Sequence, residues 1–158
     1  MTPAKLPPLQ ATRLKFRYQP FYLLFAAPSF AQEKDKVDPE VRQQIEAALT
    51  KFDEAFNKND ATATAALYTQ DAAEVWSEWS AGGLAFGQQA IEKRHATNFA
   101  SNPGKLSHKL VQLHAIGNEI CAISEWSMPP IKTKGGHYVV TIYVREADDW
   151  KIRMAYVN

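Results

Sequence analysis

Apolar residues recur at spacings of three and four between Val41 and Phe56, and this spacing predicts an amphipathic helix. Asp38 can cap its first turn, and Pro39 stands at the first helical position, where a missing N–H costs nothing. The helix is predicted to end near Lys58. Its apolar stripe contains Val41, Ile45, Ala48, Leu49, Phe52, Ala55 and Phe56.

The next segment predicts a helix, a strand and a helix. Asp60 can cap a second, shorter helix that continues through Tyr68. Residues 71–76 predict a strand, which the Ala-Gly-Gly sequence at 81–83 interrupts. A third helix is predicted from about Gly87 to about Ala100.

The remainder of the chain alternates between apolar and polar residues with a period of two, which is typical of strands. Four such runs cover 107–116, 120–128, 138–145 and 150–157, and turn residues separate them. We therefore expect an α+β domain with the order helix, helix, strand, helix and four strands. Its antiparallel sheet would curve around a pocket lined by the helices.

The size and charge of the chain exclude some functions. A chain of 158 residues with 46% hydrophobic content suits one packed core. Residues 1–31 contain four basic residues and no acidic one, so 14 basic and 17 acidic residues remain elsewhere. A mildly acidic domain lacks the positive surface that phosphate backbones require, so we expect no nucleic-acid partner.

The first 31 residues resemble a secretory signal peptide. A basic segment precedes the apolar run 21–27, and the small residues Ser29 and Ala31 follow at the two positions that a signal peptidase reads. We therefore expect export to the periplasm or the medium, a linker at 32–37 and one domain over 38–158. A misassigned start codon, with a cytoplasmic protein, is the alternative. No other apolar run approaches the roughly 20 residues that span a bilayer.

Four short motifs stand at matching intervals on the predicted elements. They are Phe56-Asn57-x-x-Asp60, Leu67-Tyr68-x-x-Asp71-Ala72, Gly87-Gln88-Gln89-Ala90-Ile91 and Asp149-Trp150-Lys151-Ile152. Together they resemble the nuclear-transport-factor-2-like (cystatin-like) superfamily, and in particular its SnoaL-like and ketosteroid-isomerase-like branch. The resemblance implies a cone-shaped fold over residues 38–158, a pocket between helices and sheet, and a homodimer formed through the sheet.

The resemblance also identifies the positions that catalysis by a ketosteroid isomerase would need. These are a carboxylate base on the first strand and two hydrogen-bond donors, a Tyr and a protonated Asp. In this chain the Tyr position holds Phe52, the base position holds Trp76, and the second donor position falls near Thr141. Phe52 has no proton to donate and Trp76 cannot accept one, so the chain is not expected to be a typical ketosteroid isomerase.

Two titratable residues are candidates for acid-base chemistry. Glu78 lies two residues from Trp76 and would share its strand face, although a solvated strand end is an equally good interpretation. His95 lies on the apolar side of the third helix, and imidazole titrates near neutral pH; a buried structural histidine is the alternative. The expected pocket wall consists of Phe52, Trp76, Arg94, Asn98, Trp126, Thr141 and Tyr143.

No metal or cofactor is expected from the sequence. His108 and His114 are six residues apart on one predicted strand face, too far for a shared ion, and no glycine-rich phosphate loop occurs. The leading hypothesis is an exported domain that binds a small, partly apolar organic molecule. The alternatives are a cofactor-independent isomerase, cyclase or hydrolase using His95 or Glu78, and a protein-interaction domain with a filled pocket.

Overall fold

A computed structural model describes residues 37–77, 83–101, 103–129 and 137–158. Glu78, the leader 1–31 and nearly all of the expected linker lie outside these residues. The elements in chain order are α1 (Pro39–Asn57), α2 (Ala61–Ala65), β1 (Tyr68–Trp76), β2 (Leu84–Phe86), α3 (Gln88–Ala100), β3 (Ser107–Ile116), β4 (Glu119–Ser127), β5 (His137–Glu146) and β6 (Asp149–Val157). The expected order of helices and strands is present, and the short strand β2 is added to it. None of the described helices is long and apolar enough to cross a bilayer.

The six strands form one curved sheet in the order β2-β1-β6-β5-β4-β3. Strands β3 to β6 make the expected antiparallel meander, but β1 pairs with β6 in parallel. The sheet is therefore mixed rather than wholly antiparallel. Hairpin turns fix the direction of consecutive strands, whereas β1 and β6 are joined through the rest of the domain and no turn sets their direction.

Capping side chains define the starts of the first two helices, as the sequence indicates. The Asp38 carboxylate accepts from the backbone N–H of Glu40 at 2.8 Å, and that of Asp60 accepts from Ala63 at 2.8 Å. Helix α2 is shorter than predicted. It ends at Ala65, and Tyr68 begins β1 because the chain pairs there with β6.

Helix α3 directs Ile91 and His95 toward the core, and both are buried. Gly87 precedes the helix with a φ of +79°, a left-handed conformation that glycine adopts without a side-chain penalty. Ala90, which directly precedes Ile91, is exposed. One step along a helix turns the side chain by about 100°, which takes Ala90 off the stripe of Ile91.

A bulge in β3 reverses the strand's alternation. Leu110 pairs with Ser124 and Gln112 pairs with Ile123, so that Val111 is an extra residue on the β3 side. Because of this insertion His108 faces the helices while His114 is exposed. The expectation that the two histidines share a face is therefore wrong.

Asn57 at the end of α1 holds the chain segment that enters β3. Its amide nitrogen donates to the carbonyl of Leu106 at 2.8 Å, and its amide oxygen accepts from the backbone N–H of Leu106 at 2.8 Å. Lys105 adds a bond from its Nζ to the Asn57 carbonyl at 2.9 Å. This side chain therefore fixes Leu106, and His108 two residues later, against the helix.

Candidate functional site

A cavity lies between the inner face of the sheet and helices α1 and α3. The volume of the cavity that is open to the centre of a water molecule is about 50 Å³. This is room for about three or four waters or one small organic molecule. The wall is mostly apolar. It consists of Leu49, Phe52, Phe56, Tyr68, Glu74, Trp76, His95, Leu106, His108, Trp126, Met128, Val139, Thr141, Tyr143, Ile152, Ala155 and Val157.

Glu74 on β1 is a buried carboxylate in this wall, with only 1% of its surface exposed. The hydroxyl of Tyr68 donates to its Oε1 at 2.6 Å. Nε2 of His95 lies 3.3 Å from the same oxygen, a distance typical of an ion pair but without the alignment of a hydrogen bond. A carboxylate, an imidazole and a phenol thus meet at one corner of the cavity.

The pKa of Glu74 reflects opposing influences. Burial alone would raise it, because a charged carboxylate loses solvation inside a protein. The nearby His95 and the donating Tyr68 hydroxyl favour the charged form, and they hold the pKa of Glu74 below its ordinary value. The indole N–H of Trp76 acts in the same direction, although it does not reach hydrogen-bond geometry. Glu74 is therefore ionised at neutral pH.

Arg94 supports Glu74 from outside the cavity. Its Nη1 lies 3.8 Å from Oε2 of Glu74 and donates to the Glu74 carbonyl at 3.4 Å. The guanidinium group offsets part of the cost of burying the carboxylate. Arg94 does not belong to the cavity wall, so we regard it as a residue that stabilises Glu74 rather than one that contacts a ligand.

His95 is buried in a cluster of aromatic rings. The ring of Phe99 stacks on it with the centroids 5.7 Å apart, and Phe52 and Phe56 approach edge-on at 6.1 and 6.0 Å. No described residue forms a hydrogen bond to Nδ1 or Nε2 of His95. Three phenylalanine rings and the Glu74 carboxylate are therefore neighbours of the His95 ring.

A second carboxylate and imidazole lie on the α1 side of the cavity. Oδ1 of Asp53 lies 2.5 Å from Nδ1 of His108, and Oδ2 accepts from the His108 backbone N–H at 2.9 Å. His108 belongs to the cavity wall, and 8% of its side chain is exposed. Across the described residues, no three His, Cys, Asp or Glu side chains gather in a way that would hold a metal ion.

Several buried polar groups on the wall lack hydrogen-bond partners in the described part of the chain. Among them are three donors, the indole N–H groups of Trp76 and Trp126 and the hydroxyl of Tyr143. Burial raises the pKa of Tyr143, and the charge of Asp53 raises it further. Tyr143 therefore keeps its proton at neutral pH. Buried donors of this kind are rare in folded proteins unless water or a ligand accepts from them.

The predicted site residues take different places. Phe52, Trp76, Trp126, Thr141 and Tyr143 line the cavity together with His95, whereas Arg94 and Asn98 are not part of the wall. The three positions carried over from the ketosteroid isomerases, 52, 76 and 141, therefore surround one space, although none holds the catalytic side chain.

Sequence reasoning did not select Glu74, Asp53 or His108 as site residues. Glu74 shares a strand face with Trp76, and this signal was available in the sequence. The pairing of Asp53 with His108 had no local signal, because it joins residues 55 positions apart.

No protein-family model and no curated protein sequence matches the chain. Solved structures match it at low sequence identity. An NTF-2 like protein of unknown function from Shewanella oneidensis MR-1 is 16% identical with a TM-score of 0.62; the match covers 74% of this chain and 98% of that one. A domain of unknown function with a cystatin-like fold from Nostoc punctiforme is 12% identical with a TM-score of 0.60, covering 77% and 78%.

Aln2 from a Streptomyces species is a third similar structure. It is 12% identical, its TM-score is 0.62, and the match covers 77% of this chain and 92% of Aln2. At these identities the likeness establishes the fold, and one fold hosts many functions.

Proposed function

From the nuclear-transport-factor-2-like, cystatin-like fold of this chain, we propose that the domain binds a small, partly apolar organic molecule in the cavity between its helices and its sheet. The observation that carries the proposal is the presence of buried, unpartnered donors on a mostly apolar wall, among them Trp126 Nε1 and Tyr143 Oη. Pockets for small molecules combine an apolar lining with a few convergent polar groups in this way.

The polar groups define what such a molecule would carry. Indole N–H and phenol O–H groups donate, so the molecule would present acceptor oxygens toward Trp126 and Tyr143. Its apolar part would contact the rings and aliphatic side chains of Phe52, Leu106 and Met128. The small volume favours a molecule of about one ring.

Native mass spectrometry of the purified protein tests the proposal, because a bound compound adds its mass to the protein and dissociates on denaturation. We expect such an adduct, and we expect Trp126→Phe to weaken it at least about tenfold through loss of one buried hydrogen bond. Trp150→Phe is the matched control, since the Trp150 indole donates to Gln44 at 2.8 Å outside this cavity. Equal binding by both variants would contradict the role of Trp126.

Catalysis by the same cavity is the second candidate, and the cluster of Tyr68, Glu74 and His95 supports it. An ionised carboxylate beside an imidazole is suited to general acid-base chemistry. In this proposal Glu74 has the acid-base role that the sequence suggested for Glu78, and His95 has the acid-base role suggested for it. If the bound compound is a substrate, wild-type protein will convert it, Glu74→Gln will not, and mass spectrometry of the extracted small molecules will show the difference.

The third alternative, an interaction domain with a filled pocket, has less support, because the lining side chains leave space between them. A homodimer through the sheet is compatible with either function. Its support is the outer face of β5 and β6, defined here as Tyr138, Val140, Ile142, Met154 and Tyr156, which is apolar and partly exposed.

Export is proposed from the basic and apolar composition of residues 1–31. Expression of the full chain in a bacterial host, followed by N-terminal sequencing of the periplasmic fraction, tests it. We expect the mature protein to begin at Gln32. Recovery of the chain from the cytoplasm with Met1 in place would contradict export and leave ligand binding unaffected.

A further inference from the structure

We propose that His108, positioned by Asp53, accepts a proton from the molecule bound in the cavity, and that this molecule belongs to the class of phenols and enols. The inference rests on the proposed binding function. It adds a base that is distinct from the cluster around Glu74, and it narrows the class of ligand.

The geometry fixes the orientation of the His108 ring. One Asp53 oxygen lies 2.5 Å from Nδ1 and the other accepts from the His108 backbone N–H at 2.9 Å, so the carboxylate holds both the ring and the chain that carries it. A carboxylate has no proton to donate when ionised, so the neutral ring carries its proton on Nδ1. The lone pair therefore resides on Nε2.

Nε2 remains available for a ligand. No described residue forms a hydrogen bond with this atom, and His108 belongs to the cavity wall. Phe52 meets the ring edge-on with centroids 5.8 Å apart, and Trp126 is its partner across the β3–β4 ladder. These neighbours restrict rotation of the ring, so its free nitrogen stays on the side away from Asp53.

The proton transfer is balanced without a co-reactant. The O–H bond of the ligand breaks, a new N–H bond forms at Nε2, and the electron pair remains on the ligand oxygen. The imidazolium that results lies next to the Asp53 carboxylate, which stabilises its charge. The donors Tyr143 and Trp126 can then bond to the anionic oxygen.

The basicity of imidazole limits the class of ligand. The ordinary pKa of a phenol lies about 3.5 above that of imidazole, a gap that nearby donors can reduce by stabilising the anion. The hydroxyl of a simple alcohol is a far weaker acid. The site therefore suits a phenolic or enolic hydroxyl.

The compound 4-nitrophenol is a suitable probe, because its anion is yellow and its neutral form is colourless. Quenching of tryptophan fluorescence measures binding, and absorbance measures how much of the bound probe is ionised. Wild-type protein is expected to bind the probe and to increase its anion fraction at least about threefold over free probe in slightly acidic buffer. His108→Asn should bind the probe without this increase, and Asp53→Asn should show a smaller one.

Binding and proton transfer can therefore fail separately. A wild-type protein that does not bind the probe counts against the proposed function. Equal anion fractions in wild type and His108→Asn, with binding intact, overturn the role of His108 alone. His114→Asn is the matched control, since that residue is an exposed histidine on the same strand, and it should behave as wild type.

A measurement without any ligand tests the same inference. Nitrogen-detected NMR of the histidine side chains reports which ring nitrogen carries the proton. Nε2 of His108 should be unprotonated above neutral pH, and Asp53→Asn should change the ring shifts of His108 while circular dichroism shows an intact fold. A wild-type ring with Nε2 protonated throughout that range, or an unchanged spectrum in Asp53→Asn, overturns the proposal.

Discussion

The hydroxyl of Tyr68 lies 2.6 Å from Oε1 of Glu74, and both residues are almost completely buried. A hydrogen bond to a charged acceptor is stronger than one between neutral groups, especially where water is excluded. The bond therefore contributes to the stability of the domain and to the ionisation of the carboxylate.

Replacement of Tyr68 by Phe should lower the free energy of unfolding by about 2 kcal/mol. Because the pKa of Glu74 is depressed in the folded protein, its stabilising effect is complete above the unfolded value of 4.5 and disappears as the pH falls through the lower folded value. In Tyr68→Phe the folded pKa of Glu74 should lie closer to the unfolded value, so the loss should be smaller and should be complete at a higher pH. Urea unfolding across an acidic pH series measures both effects.

Tyr138→Phe is the control for this prediction, because Tyr138 is 43% exposed on the outer face. Its unfolding free energy should stay within about 0.5 kcal/mol of the wild-type value at every pH. Equal losses in the two variants would show that the buried hydroxyl has no special role.

Asn57→Ala removes two hydrogen bonds to the backbone of Leu106 and should destabilise the domain by about 2 kcal/mol. It should also weaken binding in the cavity, since Leu106 and His108 lose their anchor on α1. Asn98→Ala is the comparison, as its half-buried side chain is not part of the wall. Chemical denaturation and probe titration of both variants decide whether Asn57 has this function.

Gly104→Ala should be more harmful than Gly117→Ala. Both glycines have positive φ, at +99° and +62°, but a Cβ at Gly104 would lie 2.6 Å from the carbonyl oxygen of Pro129, whereas no described atom lies within 4 Å of a Cβ at Gly117. We expect losses of about 3 and about 1 kcal/mol, respectively, because only the first adds a clash with backbone to the conformational strain. Thermal unfolding of the two variants provides the comparison.

Tyr156→Glu should convert a dimer into a monomer if the outer face is the interface. Tyr156 is 39% exposed and pairs with Val140 across the β5–β6 ladder, so a charge there would be buried against the partner. Phe86→Glu places the same charge at an exposed apolar residue of β2 and should leave the assembly unchanged. Sedimentation velocity distinguishes the outcomes, and a wild-type monomer would contradict the dimer.

The helices and strands were predictable where the burial of a single face determines the spacing of apolar residues. The stripe of α1 and the alternation of β5 are signals of this kind, because burial on one side imposes a period. The end of α2 was predicted too late. Tyr68 has enough helix propensity to continue a helix, but pairing of β1 with β6 overrides that preference.

The candidate site was less predictable, since its residues are brought together by long-range packing. The extra residue Val111 in β3 places His108 and His114 on opposite faces of the strand, and no local pattern in the sequence marks it. The choice of Glu78 over Glu74 had a different cause. Both lie an even number of residues from Trp76, so strand alternation does not separate them. Glu74 is identified by the packing of Tyr68 and His95 around it.

The position of β6 between β1 and β5 determines when the domain can fold during its synthesis. Of the six described strands, β6 is translated last, yet it lies between β1 and β5 and joins β1 and β2 to the other three strands. During translation the edges of β1 and β5 stay unpaired until β6 has been made. Contacts between residues as far apart in sequence as those of β1 and β6 also form slowly. The domain is therefore expected to acquire its fold only after β6 has left the ribosome, and a deletion that removes β6 would leave two separate sheet fragments.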